Sequence, residues 1–105
     1  MAFIIRGTTP QVTCNVDGID LTQFTCFVSI GATNHPKFTV TDVSTEYDGD
    51  KTAVTFELTQ EQTLSLHEGV TCVQLRAIKD GHAVASGEVE LEVLPVILNE
   101  VINDG

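Results

Sequence analysis

Hydrophobic and polar residues alternate with period two along most of this chain. Gln11 to Val16 puts Val12, Cys14 and Val16 on one face and Thr13 and Asn15 on the other. Gln23 to Ile30 aligns Phe24, Cys26, Val28 and Ile30, and Lys37 to Thr41 turns Phe38 and Val40 inward. Thr52 to Leu58 gives Val54, Phe56 and Leu58; Val73, Leu75 and Ala77 share a parity; Val89, Leu91 and Val93 form the last stripe. Successive strand residues point to opposite faces, so each stripe predicts a strand buried on one side. Asp17-Gly18, Asn34-His35-Pro36, Asp48-Gly49-Asp50 and Lys79-Asp80-Gly81-His82 separate the stripes with turn-forming residues. Short strands at this spacing predict an all-β fold, an antiparallel sandwich of about seven or eight strands in one domain spanning residues 1–105.

Two segments depart from the alternation. In Thr59-Gln60-Glu61-Gln62-Thr63-Leu64-Ser65-Leu66-His67-Glu68-Gly69, Thr59 and Gln62 have capping-box spacing, Glu61 suits the first turn and Gly69 reads as the stop. A short helical turn near 59–67 is expected, with Leu64 and Leu66 packed against one end of the sandwich, since so short a helix is unstable alone. The C-terminal stretch from Leu94 to Gly105 is strongly apolar for a chain end. Pro95 belongs at an edge or bend. Val96, Ile97, Leu98, Val101 and Ile102 then follow as either a further strand of the same sheet or a segment shared with another subunit. The adjacent Val96-Ile97-Leu98 cannot all face one side of a strand, so the segment should be covered on both faces or by a neighbour.

Fifteen acidic residues against five basic give a net charge of −10, which disfavours direct binding to nucleic acid or to an anionic membrane. No apolar run approaches the length of a membrane span, and Met1 to Arg6 lacks the pattern of a signal peptide, so a cytosolic chain is expected. At 42% hydrophobic the sequence is too apolar for a disordered chain.

Candidate chemistry is sparse. Cys14 and Cys72 lie far enough apart to suit the two ends of an immunoglobulin disulfide, and the predicted sandwich is immunoglobulin-like in outline. The chain has no Trp, however, and Val70 stands two positions before Cys72 where Tyr is usual. Cys14, Cys26 and Cys72 therefore read as small strand hydrophobes. His35, His67 and His82 fall in turns, with no nucleophile–base or metal-ligand pattern around them. Asp48-Gly49-Asp50 fails as a calcium loop because Thr59 stands where the closing Glu belongs. No catalytic residue, metal or cofactor is expected.

Glu88, Glu90 and Glu92 alternate with the last apolar stripe and line one strand face as a solvated stripe or an acidic docking surface. Phe27 and Ile78 have the outward parity of their strands. Phe27 joins Val96, Ile97, Leu98, Val101 and Ile102 as candidate partner-interface residues.

Three stretches carry a resemblance. They are Ile5-Arg6-Gly7-Thr8-Thr9-Pro10; Leu58-Thr59-Gln60-Glu61-Gln62-Thr63 with Leu64 and Leu66; and Val73-Gln74-Leu75-Arg76 followed by Asp80-Gly81 and Ala85-Ser86. Together they resemble small structural-module proteins of tailed phages and prophages of Gram-positive and gut bacteria. The layout is more distantly similar to the N-terminal β-sandwich domain of phage baseplate upper proteins, with Leu21-Thr22 before a strand and Asp80-Gly81 in the hairpin before the last strand. The resemblance implies a non-enzymatic virion structural or assembly protein of head, tail or baseplate, assembled in the bacterial host cytoplasm. Its partners would be other virion proteins or further copies of itself, and the resemblance supplies no catalytic or ligand residues. The alternative expectation is an acidic phage-encoded inhibitor of a host nucleic-acid-binding defence protein, working through the glutamate stripe. A receptor- or carbohydrate-binding module ranks lower, with Tyr47 the one tyrosine and no Trp for stacking.

Overall fold

Each stripe turns the side chains that its parity selects toward the core, with Val89 the exception. The computed structural model describes residues 2–32 and 34–104; Met1 and Gly105, the outer ends of two stretches read above, and Thr33 lie outside the described residues. The elements run β1 (Ala2–Ile5), β2 (Gln11–Asp17), β3 (Thr25–Ala32), β4 (His35–Val40), β5 (Ser44–Tyr47), β6 (Lys51–Glu57), α1 (Gln60–Leu64), β7 (Gly69–Lys79), β8 (His82–Ala85) and β9 (Val89–Leu94). They form a six-stranded sheet in the order β1-β9-β7-β3-β4, with β8 also on β7, and a three-stranded sheet, β2-β6-β5. One apolar cluster joins the inner faces: Cys26, Val28, Ile30, Val73, Leu75, Ala77, Leu91 and Val93 from the larger sheet meet Val54 and Phe56 from the smaller, with Leu58 just beyond it.

Long β7 organises the larger sheet. β3 lies along one edge; β9 and β8 share the other, with Val73 opposite Val89 and Arg76 opposite Ala85. Between those pairs, Gln74 and Leu75 face Ser86, Gly87 and Glu88, so β8 and β9 are two halves of one line separated by a bulge. Ser86 holds the bulge together. Its N–H donates to the Leu75 carbonyl (2.9 Å) and its Oγ accepts the Leu75 N–H (3.0 Å). The extra residue flips the parity, so Val84 packs inward from β8 while Leu91 and Val93 do so from β9.

Several expectations change. β1, β5 and β8 carry no clear stripe, which is why alternation alone does not find them; the strands number nine among the described residues. β1 pairs with β9 in parallel, because strands from opposite ends of the chain are free of the hairpin constraint. Val89 has inward parity but is 56% exposed at the start of β9, beside the bulge. The helical turn stops at Leu64 with Ser65 as its cap, well before Gly69, which opens β7. The capping box is present as read: Thr59 Oγ1 accepts the Gln62 N–H and Gln62 Oε1 accepts the Thr59 N–H. Leu66 is buried, and Leu64 partly so. The described residues after Pro95 form no strand.

Candidate functional site

The C-terminal segment is positioned by side chains in place of a ladder. Arg6, at the end of β1, reaches across the turn that follows α1. Its Nε donates to the Leu66 carbonyl (2.8 Å), and its Nη2 donates to the Leu64 carbonyl (2.8 Å) and to Asn99 Oδ1 (2.9 Å). One guanidinium thereby satisfies two carbonyls that the end of the helical turn leaves open and fixes the tail beside them. Three residues further on, the Gln60 carboxamide closes a two-point contact with the backbone of Ile102, donating through Nε2 to its carbonyl (3.0 Å) and accepting its N–H at Oε1 (2.8 Å). Thr63, fully buried in α1, donates to the Thr8 carbonyl (2.9 Å) and accepts the Gly7 N–H (3.0 Å).

The tail is thus fixed through polar groups while its apolar side chains face outward. Ile97 is fully exposed, and Leu98, Val101 and Ile102 are each more than half exposed; Val96 alone is half-buried, near Gly7. This corrects the expectation of cover on both faces within the chain. A loop held at Asn99 and Ile102 does not present the alternate residues of a strand to the core.

Phe27 occupies a different surface. It lies on the outer face of the larger sheet opposite Arg76, and a shallow hollow of about 310 Å³ there is lined by Phe27, Ser29, Thr39, Arg76, Ile78 and Ala83, among others. Val93, near the end of β9, stands opposite Gly69, seven residues from Arg76 along β7. At about 3.3 Å per residue that is roughly 23 Å, so Phe27 and the tail form two surfaces and not one.

Glu90 and Glu92 share the outer face with Cys72 and Val70, their partners on β7, and Glu92 also stands beside Phe3 of β1. Glu88 precedes β9, in the bulge, so the stripe on the strand itself is two residues long. Exposed Phe3 and Val70 flank it, giving a mixed apolar and acidic face. The other twelve acidic residues lie in turns and loops, in α1, in the tail and on the smaller sheet, and all fifteen are exposed.

The remaining candidates separate. Cys72 has the outward parity of β7 while Cys14 packs inward from β2, so the larger sheet separates the two thiols; both are free, as is buried Cys26. Burial pushes the Cys14 and Cys26 thiols up, away from the reactive thiolate. His35 and His67 line one hollow with Lys37, Glu68 and Cys72, a convergence that spacing of 32 residues conceals; His82 is at the far end of β7. Among the described residues no group of three His, Cys, Asp or Glu side chains is arranged to hold a metal ion. In the turn after β5, Asp48 Oδ1 accepts the Asp50 and Lys51 N–H groups (2.9 Å each), which keeps the carboxylate in a local turn. No protein-family model and no curated protein matches this sequence.

Proposed function

We propose that this chain is a non-enzymatic structural or assembly module of a phage virion, acting through protein–protein contacts in head, tail or baseplate. The C-terminal segment carries the reading. Arg6 and Gln60 hold it in a defined course while Ile97, Leu98, Val101 and Ile102 stand in solvent. Ordering a backbone costs about 1–2 kcal/mol per residue, and burying each such side chain would return about 1.5–3 kcal/mol. A partner surface supplies that burial. The phage assignment rests on the sequence resemblance, and with it come the virion location, assembly in the host cytoplasm and the absence of a cofactor.

We read the fold as immunoglobulin-like. The β9-β7-β3-β4 run and the β2-β6-β5 sheet follow the G-F-C-C′ and B-E-D strand orders of such sandwiches, with β1 beside β9. Buried Val73 fills the inward position next to outward Cys72, so packing replaces the inter-sheet disulfide. The inhibitor reading has less support, because the acidic residues are dispersed and the glutamate pair is interleaved with Phe3 and Val70.

The test is retention of virion subunits by the tagged full chain, with cross-linking mass spectrometry to identify contacts. Retention of a head, tail or baseplate subunit is expected, lost on replacing Ile97 and Ile102 with Ser. A chain that takes nothing from a phage lysate and runs alone in light scattering removes the reading.

A further inference from the structure

We propose that the free edge of β2 pairs with the β2 edge of a second copy, joining the two three-stranded sheets into one. Among the described residues β2 pairs with β6 alone, on one side. The Leu58 N–H bonds to the Pro10 carbonyl and the Gly18 N–H to the Asp50 carbonyl, in line with the β2–β6 register. Hydrogen-bonded pairs alternate in an antiparallel ladder, so the even positions of β2 face β6. The N–H and C=O groups of Gln11, Thr13, Asn15 and Asp17 therefore point out from the open edge.

This edge is the undefended one. β4 carries Pro36 and Lys37, while β1, β5 and β8 are four residues long and β5 includes Glu46. Proline, charge and short length each discourage strand addition. β2 has seven residues, and its single charge, Asp17, is at the end.

A second copy fits better than an arbitrary strand because β2 is self-complementary about its middle residue, Cys14. In a two-fold antiparallel register centred there, Thr13 faces the partner's Asn15, and Gln11 faces the partner's Asp17. Each such facing pair exchanges two backbone hydrogen bonds. On the inner face Val12 meets the partner's Val16, and Cys14 meets the partner's Cys14. No like charges oppose each other across the seam. The two Cys14 residues occupy a non-hydrogen-bonded pair with Cα atoms about 4.5 Å apart, within the range a disulfide spans.

The test uses the full chain. Light scattering should give twice the chain mass with a concentration-dependent return to monomer. Diamide oxidation followed by peptide mapping should yield a link between two Cys14 residues. Thr13→Pro removes an N–H that only the seam uses, and it should leave a monomer with the same far-ultraviolet spectrum. A chain monomeric up to its solubility limit overturns the proposal. So does a dimer that survives Thr13→Pro but is lost on deleting residues 96–104, or a link that maps to other cysteines. If Thr13→Pro fails to fold, the mapped link decides. Subunit retention by the tail is read separately, so either idea can fail without the other.

Discussion

Replacing Arg6 with Ala tests the contact that ties the two ends of the chain to the helical turn. The substitution removes three hydrogen bonds from a charged donor, two of them in part-buried surroundings, to the carbonyls of Leu64 and Leu66. A bond to a charged group contributes about 1.5–3 kcal/mol. Freeing the long side chain returns up to about 2 kcal/mol of rotamer entropy. A net loss of about 2 kcal/mol remains for the two shielded bonds, and at roughly 4–8 °C per kcal/mol the melting temperature should fall by about 8–16 °C. Arg6→Lys keeps the charge but not the planar fork, so it should recover only part of that loss. Asn99→Ala removes just the exposed bond and should lower stability by at most about 1 kcal/mol. Circular dichroism melts give the ranking, and limited proteolysis within residues 97–102 reports the tail directly. An Arg6→Ala chain that melts within about 2 °C of the parent, with its tail no more readily cut, would refute the reasoning.

Thr52→Val keeps the shape of a fully buried side chain but leaves the Ile19 carbonyl without its donor and the Leu21 N–H without its acceptor. Urea denaturation should show a loss of about 2–5 kcal/mol, largely restored by Thr52→Ser. Gly31 sits at the β3–β4 register shift with φ of 152°, and a Cβ there would lie 2.7 Å from both the His35 oxygen and the Lys37 nitrogen. Gly31→Ala should therefore destabilise by about 2 kcal/mol or more in the same assay, and a neutral result would mean that the bulge relaxes freely. Hydrogen bonds from the Thr22 hydroxyl and N–H hold the Asp20 carboxyl below its ordinary 3.8, and those from the Lys51 and Asp50 N–H groups do the same for Asp48. Lowered values in the folded state mean that this stabilisation is complete above pH 3.8 and is lost as acid takes the pH down through the folded values. Carboxyl NMR titrations should place both midpoints below 3.8, and midpoints at or above it would contradict the turn geometry.

Alternation along Cys26-Val28-Ile30, Val54-Phe56-Leu58 and Val73-Leu75-Ala77 was enough to identify the inner faces, since parity is a local property that burial obeys. Thr59 and Gln62 announced the helical turn for the same reason: both halves of a capping box lie within four residues. Parity says which face a residue takes, not which strand is its neighbour. The parallel β1–β9 pair and the bulge at Ser86 that reverses parity between Val84 and Leu91 depend on partners distant in sequence. Thr52 extends an apolar stripe with a hydroxyl, and only the approach of Ile19 and Leu21 explains its burial. Phe27 could be assigned outward from parity alone, whereas its separation from the tail follows from the length of β7. The tail itself is apolar enough to suggest a strand. Its course was decided by Arg6 and Gln60, whose hydrogen bonds span 93 and 42 positions of sequence and leave no periodic trace in it.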